Sequence, residues 1–360
     1  MKFQASTNML RALALLPLMA ASTMGTAHAA NRVGWVWANC PTCTSAYTPE
    51  SAYSYNSAGG AITITPTGTG TYEVSFKKLA DGSPDNVEVT AYGSSGYCVA
   101  GTWSPTGTTL NASVACYNAS GALANSYFTL LYQSRSAGFG SNVKGIGYVW
   151  AVCSTSCTAP SDYSYNSTGG TNTIVRNSTG SYTVTLPGLD SEHSDVQVTA
   201  YGSNSLCKPQ FWTGPASSTS VDVLCFNSSG AAVDTDFDLA YAVDEPFGLA
   251  NATSGTTGGA WAWANDDTKA VTYTPSKQFQ YNGFQSGTLS AIKTSTGHYT
   301  VTVPGTLSYD TSHVLVTGYG DSTSYCNVAE WGSSSVYVTC YAPGGAAVNS
   351  DFDVTFQTAN

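Results

Sequence analysis

The ten cysteines offer the most evident chemistry in this sequence. Cys40 and Cys43 have the Cys-x-x-Cys spacing of a thioredoxin-type redox pair, and Cys153 and Cys157 stand in a corresponding place with one more residue between them. A redox enzyme of that type needs a βαβ unit around the pair, and the flanking residues lack its pattern. A shared zinc ion would have to join two pairs that lie far apart in the chain. We therefore predict two local disulfides.

The other six cysteines form three pairs with regular separations. Cys98–Cys116 and Cys207–Cys225 have the same separation, and Cys326–Cys340 is shorter by four. If the two members face each other across a β-hairpin, the shorter connection loses two residues on each side, and every side chain keeps its face. Opposed residues of antiparallel strands lie within disulfide range. The spacing predicts three hairpin disulfides, each worth about 3 kcal/mol in the loop-entropy model.

Each of these three pairs belongs to a longer stretch that recurs in the chain. In every copy a Tyr-Gly pair precedes the first Cys, a Trp follows that Cys by five residues, and a Gly follows the second Cys by five. Fixed offsets of this kind mark a repeated structural unit. The aromatic residues that the copies share are Tyr92, Trp103 and Tyr117, then Tyr201, Trp212 and Phe226, then Tyr319, Trp331 and Tyr341.

The period-two pattern of the strands assigns these aromatics to one face of a sheet. Val87, Val89 and Ala91 share an apolar face, so Tyr92 lies on the opposite, mostly polar face. Trp103 is an odd number of residues from the first Cys and joins that polar face if its strand is unbroken. We predict three aromatics on the polar face of each repeat, where they can bind a glycan or another protein. Alternatively, they pack on one another or beneath a loop.

The remaining pattern predicts an all-β chain. Short alternating runs bounded by Gly and Pro occur throughout each repeat, and no long stretch with a helical period follows position 30. Units of roughly 100 residues with so many strands are typical of antiparallel β-sandwiches, immunoglobulin-like or jelly-roll-like. We predict three tandem modules of this kind, each stapled by disulfides. The predicted boundaries are 1–30 for a signal peptide, 31–133 for repeat 1, 134–146 for a linker, 147–243 for repeat 2, 244–258 for a second linker and 259–360 for repeat 3.

Acidic residues and histidines give weaker indications of chemistry. Oxygen ligands that calcium prefers alternate at two strand starts, Asp234, Asp236 and Asp238 in one and Asn349, Asp351 and Asp353 in the other. Because repeat 1 lacks them, we interpret both groups as solvated acidic faces and predict no metal site and no cofactor. No histidine and no Glu recurs in all three repeats, and no nucleophile elbow or metalloprotease motif is present. The sequence favours a non-catalytic protein and leaves an enzyme with its site in one repeat open.

Positions 1–30 have the pattern of a secretion signal. Lys2 and Arg11 precede a short apolar run, and Ala27-His28-Ala29 supplies a small-residue cleavage pattern. No later apolar run is long enough to span a bilayer, so we predict no membrane span in the mature chain. Close cysteine pairs suit an oxidising compartment. We therefore expect a secreted protein in the extracellular space, at the cell surface or in a periplasm.

The charge of the mature chain excludes one class of partner. The signal contains two of the 12 basic residues and none of the 22 acidic ones, so the mature chain carries 10 basic against 22 acidic residues, a net charge of −12. Such a chain is a poor partner for a phosphate backbone, and we predict no nucleic-acid binding. The leading hypothesis is a secreted, non-catalytic binding or cell-surface protein with a glycan or protein ligand. The alternatives are a self-assembling envelope component and a secreted hydrolase.

Overall fold

The computed structural model describes residues 32–80, 82, 85–134, 145–152, 157–215, 217–247, 258–284, 287–305, 311–332 and 334–359. The regular structure of this part consists of β-strands and three short 3-10 helices, without any α-helix. The prediction of an all-β chain is confirmed. The predicted signal peptide and most of the two predicted linkers lie outside the described residues.

The strands recur in the same order in each repeat. Repeat 1 contains β1 (Arg32–Ala38), β2 (Ser54–Asn56), β3 (Ile62–Gly68), β4 (Thr71–Phe76), β5 (Asp85–Tyr92), β6 (Tyr97–Thr106), β7 (Thr109–Tyr117) and β8 (Tyr127–Ser134). Repeat 2 contains β9 (Ile146–Ala151), β10 (Cys157–Thr158), β11 (Ser164–Asn166), β12 (Thr173–Ser178), β13 (Ser181–Pro187), β14 (Ser194–Tyr201), β15 (Leu206–Thr213), β16 (Ser218–Phe226) and β17 (Asp236–Val243). Repeat 3 contains β18 (Gly258–Ala264), β19 (Gln280–Asn282), β20 (Ser290–Ser295), β21 (His298–Thr302), β22 (Ser312–Gly318), β23 (Tyr325–Trp331), β24 (Ser335–Tyr341) and β25 (Phe352–Thr358).

A 3-10 helix precedes one short strand of each repeat. These helices are Ser51–Tyr53 before β2, Ser161–Tyr163 before β11 and Lys277–Phe279 before β19.

The strands of each repeat divide into two antiparallel groups, which we call the front and back sheets. The front sheets have the strand orders β2-β1-β8-β5, β11-β9-β17-β14 and β19-β18-β25-β22. The back sheets have the orders β6-β7-β4-β3, β15-β16-β13-β12-β10 and β23-β24-β21-β20. Buried apolar side chains of both groups form one large cluster for each repeat, such as the cluster of Val36, Val89 and Leu130 with Val74 and Val114 in repeat 1.

Each front sheet meets the back sheet of the preceding repeat through its edge strand. The Gly of each Tyr-Gly pair donates its backbone N–H to a carbonyl group of the preceding repeat. The accepting residue lies two positions after the first Cys of the hairpin disulfide in that repeat. These hydrogen bonds join Gly202 to Ala100 (2.8 Å), Gly320 to Pro209 (3.1 Å) and Gly93 to Val328 (2.8 Å). Because the last bond returns from repeat 3 to repeat 1, the three repeats form a closed ring with approximate threefold symmetry.

Buried threonines of the front sheets repeat this connection. Each hydroxyl forms a hydrogen bond with the backbone of a valine in another repeat. That valine directly precedes the equivalent threonine of its own repeat. Thr199 accepts from the N–H of Val89 (3.0 Å), Thr90 accepts from the N–H of Val316 (3.2 Å), and Thr317 donates to the carbonyl of Val198 (3.4 Å). The three hydroxyls therefore bond the edge strands together at the centre of the ring.

The predicted disulfides are confirmed wherever the structure describes them. Cys98–Cys116, Cys207–Cys225 and Cys326–Cys340 join directly opposed residues of their hairpins, with Cα atoms 4.0, 4.1 and 3.9 Å apart. Cys40–Cys43 closes the loop after β1. Cys153 and the side chain of Cys157 lie outside the described residues.

The glycine that follows each second Cys lies where the hairpin loops of neighbouring repeats meet. Gly121, Gly230 and Gly345 all have φ between 83° and 87°, a conformation that favours glycine. A Cβ on Gly345 would lie 2.7 Å from Cβ of Ala119 in repeat 1. Equivalent close approaches join Gly121 to repeat 2 and Gly230 to repeat 3. The recurring glycine is thus required both by its own turn and by the next repeat.

Substitution of Gly345 by alanine is expected to destabilise the fold more than substitution of the adjacent Gly344. Both have a positive φ, of 87° and 86°, but a Cβ on Gly344 would meet nothing within 4 Å. Gly344→Ala should cost about 1–2 kcal/mol for the left-handed backbone alone, whereas Gly345→Ala should lose about 1–3 kcal/mol more through overpacking. Urea unfolding measures both, and equal losses would contradict the proposed contact between loops.

Candidate functional site

Three clusters of aromatic rings lie where one repeat meets the next, and we call them the junction clusters. Each combines rings from two repeats, so that a contiguous site exists only in the assembled ring. Junction 1–2 contains Trp103, Trp150, Tyr163 and Tyr201, junction 2–3 contains Trp212, Trp263, Phe279 and Tyr319, and junction 3–1 contains Trp331, Trp37, Tyr53 and Tyr92.

The same four elements supply the rings at every junction. At junction 1–2, Trp103 comes from the back-sheet strand β6 of repeat 1, while Trp150 comes from β9, Tyr163 ends a 3-10 helix and Tyr201 ends β14 of repeat 2. The predicted aromatic face included Trp103 and Tyr201 but missed Trp150, and it also missed the ring at the end of the 3-10 helix. Its signal was a fixed place two residues before a Tyr-Asn pair, which recurs at 55–56, 165–166 and 281–282.

The predicted face of the three Trp residues is wrong, because a β-bulge precedes each of them. The register of β6 with β7 shifts between Ala100 and Trp103, so that Trp103 lies opposite Ala112. Ala112 and Cys116 share the apolar face of β7, and Trp103 therefore joins the apolar cluster of its own repeat. The equivalent bulges in β15 and β23 do the same for Trp212 and Trp331. The extra residue of a bulge reverses the parity on which the prediction depended.

The rings of a junction contact one another mainly edge to face. In junction 1–2 the centroids of Trp103 and Tyr163 are 5.4 Å apart at 87°, and those of Trp103 and Tyr201 are 5.6 Å apart at 86°. Pairs in this geometry contribute about 0.5–1.5 kcal/mol beyond the area they bury. The clusters therefore help to hold the ring closed.

The exposure of these rings differs from that of a flat platform. Trp103, Trp212 and Trp331 are only 5%, 7% and 7% exposed. The remaining rings of each junction are partly exposed and form its rim. The arrangement corresponds to the alternative in which the aromatics pack on one another, and ligand binding through them stays a prediction.

The other three aromatics of the predicted face lie apart from the junctions. Tyr117 stacks on Tyr97 with centroids 5.5 Å apart, and Tyr341 packs on Tyr325 at 5.7 Å. Phe226 is buried in the equivalent hairpin of repeat 2. These rings flank the disulfides near the centre of the ring, so the nine predicted residues divide into two groups that do not form one surface.

Two junctions contain clefts lined by carboxylates as well as rings. The cleft at junction 1–2 has a volume of about 190 Å³ and is lined by Asp85, Trp103, Tyr132, Asp162 and Tyr163, among others. Asp85 accepts hydrogen bonds from the indole N–H of Trp103 (2.7 Å) and the hydroxyl of Tyr132 (3.1 Å). Burial, then the charges of Asp85 and Asp162, raise the pKa of Tyr163, so both carboxylates lie near this ring.

The smaller cleft, at junction 3–1, has a volume of about 100 Å³. Its lining consists of Trp37, Tyr53, Tyr92, Trp331 and the exposed Glu330. The indole N–H of Trp37 is buried without a hydrogen-bond partner among the described residues. Trp331, in contrast, donates to the hydroxyl of Ser312 over 2.9 Å.

The acidic groups that were interpreted as solvated faces are in part completely buried. Asp238 and Asp353 are 0% exposed, because the polar faces of the front sheets meet one another inside the ring. Glu88 and Asp195 are buried beside them. Asp234, by contrast, forms an ion pair with Arg176 at 2.8 Å on the surface. The prediction of a solvated face is therefore wrong for Asp238 and Asp353, the third residue of each group.

Burial raises the pKa of all four interior carboxyls. It raises that of Glu88 to about 8, although Glu88 accepts hydrogen bonds from Thr199 (2.7 Å) and Asn86 (3.2 Å). It raises the pKa of Asp195 to about 7. The pKa values of Asp238 and Asp353 lie well above their usual range, raised first by burial and then by the neighbouring charges of Glu88 and Asp195 respectively. The interior thus favours neutral carboxyls over anions.

The free energy of unfolding is expected to decrease between about pH 5 and 7.5 more steeply in the natural chain than in Glu88→Gln. An unfolded Glu ionises near pH 4.3, whereas folded Glu88 retains its proton to about pH 8. The folded chain therefore holds a proton that the unfolded chain releases, and this contribution to stability is lost as pH rises. The expected slope difference is about 1.4 kcal/mol per pH unit.

Urea unfolding at several pH values measures this difference, with Glu50→Gln on the surface as the matched control. Burial lowers the pKa of His313 to about 3, so that below pH 6.5 its contribution to the free energy of unfolding increases with pH. Because His313 is present in all of these variants, comparing them isolates the contribution of Glu88. Parallel curves for the natural chain and Glu88→Gln would contradict the burial of an ionisable Glu88.

A buried lysine has a structural role at the contact of repeats 2 and 3. The ammonium of Lys208 lies 3.4 Å from the carbonyl of Tyr319 and 3.2 Å from the hydroxyl of Ser322. Burial lowers its pKa to about 7. The equivalent Asn327 donates to the carbonyls of Ser94 and Gly96 in the matching loop of repeat 1. Lys208 therefore serves as a hydrogen-bond donor in the place of an amide.

Lys208→Asn is expected to unfold at the same temperature as the natural chain or a higher one at pH 6, because a neutral donor replaces a buried charge. Lys208→Ala should unfold at a lower temperature, because it removes the donor and leaves a cavity. Differential scanning calorimetry compares the three proteins. An Asn variant as unstable as the Ala variant would show that the charge itself is needed.

The histidines and acids do not assemble into a metal site within the described ranges, where no group of three or more His, Cys, Asp or Glu side chains converges suitably. His193 lies 3.6 Å from Asp244, with both side chains largely exposed. His313 is fully buried. His193 therefore lies at the surface, whereas His313 lies in the interior.

Comparison of the chain with protein-family models, with curated proteins and with solved structures found no match. Among the described residues no helix is long and apolar enough to cross a bilayer. Any assignment of function consequently depends on the junctions themselves.

Proposed function

We propose that the protein is a secreted, non-catalytic saccharide-binding protein whose binding site is the cleft at junction 1–2. The observation that carries this proposal is that three aromatic rings, of which Tyr163 is partly exposed, and two carboxylates line the same cleft of about 190 Å³. A sugar ring presents apolar C–H faces, which pack on aromatic rings, and hydroxyl groups, which donate to carboxylates. The lining of this cleft offers both kinds of partner.

The orientation of Asp85 supports this assignment. Its two oxygens accept hydrogen bonds from Trp103 and from Tyr132. These donors hold the carboxyl group in one orientation, and a carboxylate has acceptor sites for the hydroxyl groups of a ligand. Ser194 and Ser312 accept the equivalent indole bonds in the other repeats. Of the three junctions, only this one therefore has a carboxylate at that position.

The proposal includes three β-sandwich modules that are closed into a ring. It is supported by the large apolar cluster that is centred on each repeat and by the equivalent hydrogen bonds between neighbouring repeats. The disulfides and the secretion pattern of residues 1–30 support a location outside the cytosol. The contact between repeats matters for function, because Trp103 and Tyr163 come from different repeats and form one cleft only when these modules are joined.

A secreted glycoside hydrolase is the second candidate, favoured by the presence of Asp85 and Asp162 in one cleft. Glycosidases use two carboxyl groups on either side of the scissile bond. Asp85 holds Trp103 and Tyr132 in place through hydrogen bonds, and this positioning role is why binding without hydrolysis is the preferred proposal. The self-assembling envelope component stays a prediction.

Substitution of residues at the rim of junction 1–2 is expected to weaken saccharide binding. A glycan array and pull-down on insoluble polysaccharides first identify the ligand for the natural chain. Tyr163→Ala and Asp162→Asn should then each weaken binding at least tenfold, equivalent to about 1.4 kcal/mol, because each removes an exposed contact and leaves the buried Trp103 in place.

Phe279→Ala is the matched control, because Phe279 holds the same position at junction 2–3. It should leave the affinity unchanged. If Tyr163→Ala and Phe279→Ala bind as well as the natural chain, the site lies elsewhere. Release of reducing ends that disappears in Asp162→Asn would instead establish hydrolysis.

A further inference from the structure

The cleft at junction 3–1 has the composition of an aromatic cage with one negative charge. The planes of Trp37, Tyr53 and Trp331 are nearly perpendicular to one another, at 84°, 90° and 73°, with centroids 5.2, 5.4 and 5.9 Å apart. Tyr92 lies 5.4 Å from Trp331 and adds a fourth ring. Rings in this arrangement form a corner that is open to a volume of about 100 Å³.

The charge at the rim of this cleft comes from Glu330. Its side chain is exposed and forms no ion pair or hydrogen bond with the part of the chain that the structure describes. Among the described residues no Lys or Arg lines the cleft. The rings contribute the negative potential of their faces, and burial together with the charge of Glu330 raises the pKa of Tyr92. All of these features favour the binding of a cation in this cleft.

The size and hydrogen-bonding capacity of the cleft narrow the choice of cation. Its volume of about 100 Å³ is about half that of the cleft at junction 1–2, which suits a compact head group of a few heavy atoms better than a sugar ring. A primary ammonium would need acceptors for three N–H groups, whereas a quaternary ammonium needs none. Recognition of quaternary ammonium groups is a known use of aromatic cages.

We infer that junction 3–1 is a binding site for a quaternary ammonium group, such as that of choline. Trp37, Tyr53 and Tyr92 contact the methyl groups, the buried Trp331 supports them, and Glu330 balances the charge. This site is separate from the proposed saccharide site, because it uses another junction and other residues.

Comparison with the other two junctions explains why only junction 3–1 is assigned this ligand. The residue that precedes the back-sheet Trp is Glu330 at junction 3–1, but Thr102 at junction 1–2 and Phe211 at junction 2–3. All three positions lie beside the β-bulge and are exposed. The ring skeleton is shared, and the carboxylate at this position is confined to one junction. Junction 1–2 has its carboxylates elsewhere, at Asp85 and Asp162 of a larger cleft, so junction 2–3 is the comparison for the charge at this position.

Titration of the full-length mature protein with choline tests the inference, with isothermal calorimetry and tryptophan fluorescence as readouts. We expect a dissociation constant in the millimolar range or below, and much weaker binding of 3,3-dimethylbutan-1-ol, which has the same shape without the charge. Glu330→Gln should weaken choline binding about fivefold, the effect of one partly screened charge at close range. Tyr53→Leu should weaken it at least tenfold.

Tyr163→Leu at junction 1–2 is the matched control and should leave choline binding unchanged while it weakens saccharide binding at least tenfold. Tyr53→Leu should have the reverse effect, so that the two proposals succeed or fail independently. Vesicles of phosphatidylcholine and of phosphatidylglycerol distinguish a lipid head group from a free ligand. Equal binding of choline and its neutral isostere, or full affinity in Glu330→Gln, would overturn the inference.

Discussion

The structure depends on the contact that each Tyr-Gly pair makes with the preceding repeat. The edge strands β5, β14 and β22 would otherwise present unpaired backbone groups, which promote association with other chains. A positive φ at Gly93, Gly202 and Gly320 turns the chain so that the glycine N–H reaches a carbonyl of the neighbouring repeat. The adjacent tyrosine packs on the neighbour's Trp. Since the third contact returns to repeat 1, no repeat is left with this edge free within the described part of the chain.

Closure of the ring explains the unusual interior. A front sheet that faces water on one side would place Glu88, Asp195, Asp238 and Asp353 in solvent. In the ring, these polar faces meet one another, and the carboxyls lose their hydration. They avoid the cost of a buried charge by keeping their protons, because desolvation disfavours the ionised form. The threonine hydroxyls satisfy backbone groups in the same region. The interior therefore joins the repeats through polar contacts as well as through apolar packing.

Differences between the repeats are concentrated at the rims of otherwise similar junctions. Two Trp residues and the Tyr of the Tyr-Gly pair recur at every junction, where they hold neighbouring repeats together. Asp85 and Glu330, by contrast, stand where the other repeats have serine or uncharged residues. A shared ring skeleton with local substitutions allows one architecture to present clefts of different charge. Both proposed ligands follow from these substitutions rather than from the features that all repeats share.

The sequence by itself determined the features that depend on local spacing. Strand periodicity predicted the all-β chain, and the separation of Cys98 from Cys116 predicted a hairpin disulfide, because both follow from the alternation of side chains along strands. The face of Trp103 could not be predicted in this way, since one inserted bulge residue reverses the parity. The burial of Asp238 and the meeting of Trp103 with Tyr163 were decided only by the tertiary structure. Each depends on a repeat that is distant in the chain but lies against the polar face, and alternation within a strand carries no information about what covers it.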